Sequence, residues 1–86
     1  MDNNMLKFPA PDRRSVFIVD DHPLMRESLA ALLDRQPGLR VCGQAGDSAT
    51  AYPEIERLQP EIVVVDLSLP RGSGLDLIKS MRGQLK

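Results

Sequence analysis

The chain has 86 residues, 42% of them hydrophobic and 27% charged, and its 11 basic side chains face 12 acidic ones for a formal charge of -1. That is the makeup of one small globular domain, and the balance excludes a polybasic nucleic-acid binder as its whole function. No apolar run approaches the roughly 18 residues of a membrane helix, the opening MDNNMLKFPAPDRR lacks the apolar stretch of a secretory signal, and the single Cys42 has no second thiol for a disulfide or a zinc site, which fits a reducing cytoplasm.

Residues 1–14, with Pro9, Pro11 and no periodicity, read as a mobile tail. The run Val16 to Val19 is continuously apolar and ends in Asp20 and Asp21, as a strand buried on both faces would. Pro23 suits the first position of a helix, with Asp21 or His22 left to cap it. Met25, Leu29, Leu32 and Leu33 then make one apolar stripe that predicts core contact, with Arg26, Glu27, Asp34 and Arg35 mostly off it. Pro37 and Gly38 stop the helix. Leu39, Val41, Gly43 and Ala45 alternate with polar neighbours and Cys42, an imperfect second strand suited to a sheet edge.

Asp47, Ser48 and Ala49 look like a helix start, but Pro53 would then lie deep enough to delete an interior hydrogen bond, at about 3 kcal/mol. A cap at Thr50 avoids this and predicts a second helix over 51–59, ended by Pro60. Ile62 to Val65 are all β-branched and form the clearest strand, closed by Asp66. Gly72 and Gly74 flank a turn after Pro70, and Leu75, Leu77, Ile78 and Met81 predict a third helix that Gly83 closes. Helical crossovers between parallel strands give an open α/β sheet in the order βαβαβα.

Ligand sites in open α/β sheets lie beyond the carboxyl ends of the strands. Asp20 and Asp21 end the first strand and Asp66 the third, so three carboxylates converge if those strands are neighbours. Without a nearby Lys or Arg they would repel one another and raise their pKa values. A hard divalent cation relieves this, and Mg²⁺ suits a few carboxylates with several waters.

With these residues in view, VFIVDDHPLMRESLAALL and VVVDLSLPRGSGLDLIK resemble the receiver domains of bacterial two-component response regulators, and DDHP with DLSLP is most similar to the NarL/FixJ subgroup. The resemblance implies a flavodoxin-like (CheY-like) fold, with strand order 2-1-3 in the part present. It makes Asp66 the phosphoacceptor, charged by a sensor histidine kinase with Mg²⁺ as cofactor. Asp21 becomes the principal acidic metal ligand, Asp20 its neighbour acting through water, and the main-chain carbonyl of Ser68 a further ligand. Pro70 and Gly74 match the loop that holds the site's shape. The resemblance covers residues 15 to about 83, so 15–86 reads as a partial receiver that stops where a fourth strand is expected. The family's hydroxyl residue, its paired Lys and the subgroup's DNA-binding helix-turn-helix domain lie outside this stretch.

Several residues have plainer readings. His22 reads as a cap or turn residue, since no Cys or second His accompanies it, and Cys42 as a small strand residue. Arg71, Lys79, Arg82 and Lys86 against Asp76 read as a solvated face. An aspartyl phosphatase of the haloacid dehalogenase type would need a second acid where Ser68 stands. The expectation is therefore of a phosphoacceptor and not an enzyme on other substrates. The alternative is a non-phosphorylating module that self-associates through the third strand, whose apolar edge lacks the Lys, Pro or bulge of protected edges.

Overall fold

The computed structural model describes residues 13–69 and 73–82. Three strands and three helices alternate: β1 (Arg14–Val19), α1 (Pro23–Asp34), β2 (Leu39–Ala45), α2 (Ser48–Leu58), β3 (Ile62–Val65) and α3 (Ser73–Arg82). The strands are parallel in the order β2-β1-β3, the 2-1-3 arrangement expected. Among the described residues, no helix is long and apolar enough to cross a membrane.

β1 is the central strand, and its uninterrupted apolar run follows from burial on both faces. Val16 and Ile18 pack with Ala30, Leu29 and Leu33 on the α1 side. Phe17 and Val19 pack with Ala45, Ala51, Ile55, Leu69 and Leu77 beneath α2 and α3. Val16 to Val19 are essentially inaccessible, so side-chain alternation places half of the run in each core. β2 forms one edge, as its broken pattern implies, and its register against β1 shifts between Val16 and Phe17. Val16 faces Val41 and Phe17 faces Gly43, which leaves Cys42 without a counterpart. The bulge lets the Phe17 ring lie over Gly43, where an added Cβ would sit 2.8 Å from Phe17 Cε2.

Four expectations need correction. First, the strand reaches back to Arg14, and the Arg13 guanidinium donates to the Leu39 carbonyl at 2.8 Å. Arg14 therefore belongs to the sheet and Arg13 is tied to it by its side chain, while residues 1–12 lie outside the described residues. Second, α2 starts at Ser48 with Asp47 as its cap. The Asp47 carboxylate accepts from the Thr50 N–H at 2.7 Å, and the helix begins there with Pro53 kept inside it. Gln59, at φ 50°, ends the helix in the left-handed region before Pro60. Third, only part of the α1 stripe is core: Leu29 and Leu33 pack inward, whereas Met25 is 61% and Leu32 49% exposed. Leu75 of α3 is likewise exposed, while Leu77 is buried. Fourth, Gly74 lies inside the first turn of α3 and not in the turn before it. Pro70, Arg71, Gly72, Gly83 and Lys86 lie outside the described residues.

Candidate functional site

The carboxyl ends of β1 and β3 are adjacent because Val19 pairs with Val65, and the ladder continues through the Asp66 N–H to the Val19 carbonyl at 2.9 Å. Asp20 and Asp66 thus leave the sheet side by side. The chain turns sharply after Asp20 so that Pro23 can open α1, and the turn swings Asp21 and His22 over the same spot. One ligand atom from each of Asp20, Asp21, His22 and Asp66 lies within 4.8 Å of the others. The three carboxylates therefore converge as the strand-end argument requires.

The site's hydrogen bonds fix each group differently. Asp20 is buried, at 8% exposure, and its Oδ1 accepts from both the His22 backbone N–H (2.9 Å) and ring Nδ1 (2.8 Å). His22 Nδ1 also lies 3.1 Å from Asp21 Oδ1 and 3.5 Å from Asp66 Oδ2. The hydrogen bond to Asp20, followed by the charge of Asp21, raises the His22 pKa above 6.5. His22 occupies the cap position of α1, yet its side chain makes no capping bond; it turns to the acids instead.

Asp66 Oδ1 accepts from the Ser68 N–H at 2.8 Å and the Ser68 hydroxyl at 2.7 Å. Chiefly because of these two bonds, the Asp66 pKa falls below 3.8, with the nearby His22 adding to the effect. Mutual repulsion is thus not what sets the Asp66 titration. Ser68 acts on the acceptor through its donors, while the role of its carbonyl toward a metal stays with the family resemblance.

Nor is the cluster without an arginine. Arg26, expected to lie off the apolar stripe of α1, donates from Nη1 to the Asp20 carbonyl at 2.8 Å and from Nε to Gln44 Oε1 at 3.1 Å. It ties α1 to the ends of β1 and β2. The only sequence signal was its spacing, six residues after Asp20, which returns it to the helix face above the strand end. On the other flank, a Cβ on Gly74 would meet the Asp66 carbonyl at 3.0 Å and Val65 Cγ1 at 3.2 Å. Glycine therefore eases a close approach where α3 passes the acceptor.

Three hard carboxylates plus an imidazole form a donor set that suits a divalent cation. The spacing fits as well, because bonds of about 2.0–2.6 Å place opposite ligands about 4–5 Å apart.

A parallel three-layer α/β sheet whose acids gather at the ends of two neighbouring strands defines the CheY-like flavodoxin class. Within that class the chain belongs to the response regulator receiver domain family, whose model matches residues 16–86. It is 43% identical over 67 residues to the nitrate/nitrite response regulator protein NarP of Escherichia coli, covering 78% of this chain and 31% of that protein. Among solved structures, a LuxR-family two-component response regulator from Aurantimonas superposes with a TM-score of 0.77 at 36% identity, over 84% of this chain and 51% of that one. The signal receiver domain of the response regulator NarL from Mycobacterium tuberculosis gives 0.78 at 30% identity, over 86% and 60%. The chain therefore spans about a third of the NarP length and between half and two thirds of these two structures.

Proposed function

We propose that this chain is the phosphoacceptor portion of a cytoplasmic response regulator. It takes a phosphoryl group onto Asp66 from a phosphohistidine of a sensor kinase. In a longer protein it passes that state to transcription through a C-terminal helix-turn-helix domain. The observation that carries the reading is the ionised Asp66 carboxylate held against Asp20 and Asp21 at the switch point of the sheet.

Asp20, Asp21, Asp66 and the main-chain carbonyl of Ser68 would hold Mg²⁺, which when bound neutralises charge on the transferring oxygens. The chain's own contribution is positional. The Ser68 donors hold Asp66 Oδ1 and favour the deprotonated carboxylate, while Oδ2 lies 3.5 Å from His22 Nδ1. Arg26 holds the Asp20 carbonyl and so the loop that carries Asp21. Attack by a carboxylate oxygen forms the O–P bond as the N–P bond of the phosphohistidine breaks, and the electron pair leaves with the imidazole. Positioning and electrostatics are most of what such a transfer needs. Because the group stays on Asp66, the domain acts as an acceptor and not as an enzyme on other substrates.

Incubation with Mg²⁺ and a small acyl-phosphate donor, followed by intact mass measurement, tests this. The expected result is a slow gain of one phosphoryl group that disappears in Asp66→Asn. No gain in the parent, or an equal gain in the variant, would overturn it.

A second reading, that the chain self-associates, is favoured by β3. Among the described residues it is an outer strand of the sheet, made only of Ile62, Val63, Val64 and Val65, all half-buried and none charged. Such an edge templates pairing with another chain, and two copies related by a two-fold axis would run their β3 strands antiparallel. Light scattering over a range of concentrations decides it: a stable monomer near 9.5 kDa excludes this pairing.

A further inference from the structure

We infer that the outer edge of β2 is a strand-pairing surface held shut by the side chains of Asp34 and Arg13, and that the occupant they exclude is the β2 edge of a second copy of this chain. The inference concerns the opposite side of the sheet from the β3 pairing considered above and does not rest on it.

The phase of the β1–β2 ladder shows which main-chain groups are at stake. Arg14 pairs with Leu39, and its N–H donates to the Gly38 carbonyl at 2.8 Å. In a parallel ladder a residue bonds to the two residues that flank its counterpart, so Gly38 and Arg40 face β1 while Leu39 and Val41 turn their main-chain groups away from it. Among the described residues β2 is an outer strand, and such outward groups are a template for another strand. Here they are occupied from outside the strand. The Leu39 N–H donates to the Gln36 carbonyl at 3.2 Å in the turn before β2. The Leu39 carbonyl accepts from Arg13 Nη2 at 2.8 Å and Nε at 3.2 Å, and the Val41 N–H donates to Asp34 Oδ1 at 2.9 Å.

The position of Asp34 is otherwise unfavourable. It is the exposed last residue of α1, where the helix dipole disfavours an acid, and the last turn holds no basic residue to offset it. What its carboxylate gains there is the Val41 N–H. Arg13, just before β1, likewise sends its guanidinium across to β2 and places two donors on one carbonyl. An incoming strand would need the same Val41 donor and the same Leu39 acceptor. A second copy fits because the edge is self-complementary: antiparallel pairing about a two-fold axis centred on Val41 lets each Val41 N–H meet the carbonyl of the other.

The test uses the chain's single cysteine, Cys42, which follows Val41 on β2. Paired β2 edges bring the two Cys42 residues to about 8 Å, whereas paired β3 edges leave them on opposite sides of a six-stranded sheet, about 24 Å apart. A short bismaleimide cross-linker therefore tells the edges apart. Parent, Asp34→Ala, Asp34→Asn and the double variant Asp34→Ala with Arg13→Ala are compared by cross-linked dimer and by hydrogen exchange of the Val41 amide. Asp34→Ala puts the best helix former at the end of α1 and removes an acid from its C-terminus, so the helix itself is not weakened. Loss of a hydrogen bond to a carboxylate should speed Val41 exchange and raise the Cys42 dimer by about tenfold. Adding Arg13→Ala, which frees the Leu39 carbonyl, should raise the dimer further. Asp34→Asn removes the same charge but keeps Oδ1 as an acceptor, so it should stay close to the parent in both readouts. Unaltered Val41 exchange in Asp34→Ala, faster exchange with no more Cys42 dimer, or an Asn variant that behaves as the Ala variant does would overturn the inference.

Discussion

Replacing Gly43 by Ala probes whether the bulge in β2 exists to seat Phe17. An alanine Cβ there would lie 2.8 Å from Phe17 Cε2, 3.0 Å from Cδ2 and 3.2 Å from Leu58 Cδ1. Carbon atoms in good contact sit about 3.5–4.0 Å apart, so the ring has to withdraw by about 0.7 Å. Phe17 is 1% exposed and packed among Val19, Ala45, Ala51 and Ile55, with nowhere to go. Overpacking of this kind costs about 1–3 kcal/mol, from which the better backbone preference of Ala over Gly in a strand recovers about 0.5–1 kcal/mol. The net loss is about 1–2 kcal/mol. At about 4–8 °C per kcal/mol for a domain of this size, Tm should fall by about 5–15 °C. Thermal and urea unfolding followed by far-ultraviolet circular dichroism would measure it, both in the parent and in a Phe17→Leu background. Removing the ring should shrink the Gly43→Ala penalty to below about 0.5 kcal/mol, a coupling expected of side chains in contact. An equal penalty in both backgrounds, or a Gly43→Ala chain as stable as the parent, would refute the reasoning.

Mg²⁺ should raise Tm of the parent by mass action and leave Asp21→Ala unmoved, which a melting series across Mg²⁺ concentrations checks. Arg26→Ala should weaken Mg²⁺ binding while the far-ultraviolet spectrum stays that of the parent, with Arg26→Lys recovering part of the affinity because its ammonium can still reach the Asp20 carbonyl; unchanged affinity in Arg26→Ala would remove its positioning role. The Thr50 N–H holds the Asp47 carboxyl below 3.8, so the folded chain takes up that proton less readily than the unfolded one. The stability contributed by the ionised cap is then present above the unfolded value and lost as pH falls through the lower folded value. Asn caps without titrating, so Tm of Asp47→Asn should drop less than that of the parent between about pH 5 and pH 2, and parallel curves would contradict the assignment.

The architecture was legible because burial on two faces leaves a strong trace. Val16 to Val19 has no polar interruption, since both of its faces are covered, and the acids follow where the strand leaves the core. Element limits were harder wherever two local rules competed. At the start of α2, the cost of an interior Pro53 argued for Thr50, whereas the helix starts at Ser48 with the Asp47 carboxylate capping the Thr50 N–H. The sequence carries both signals with no measure of their relative strength. The α1 stripe misled for another reason. Helical spacing shows which residues share a face but not how far the sheet extends beneath it, and Met25 and Leu32 fall where this sheet leaves the face open.

The site divides along similar lines. Asp20, Asp21 and Asp66 were readable because strand ends and strand order alone bring them together, with no need to know a side-chain direction. His22 and Arg26 were not, since each depends on a rotamer and on the turn between β1 and α1. A lone histidine before a proline has a sufficient local explanation as a cap, and only the coordinates show its ring turned away from the helix and toward the carboxylates. Arg26 is hidden in the same way: helical phase places it above the strand end, but a charged residue on a half-exposed helix ordinarily means solvent. What separates the two cases is the Asp20 carbonyl, a polar group at the strand end that takes its hydrogen bond from Arg26. The supporting residues of a site therefore become visible by asking where each backbone group at the strand end finds its partner, a question that motif spacing does not pose.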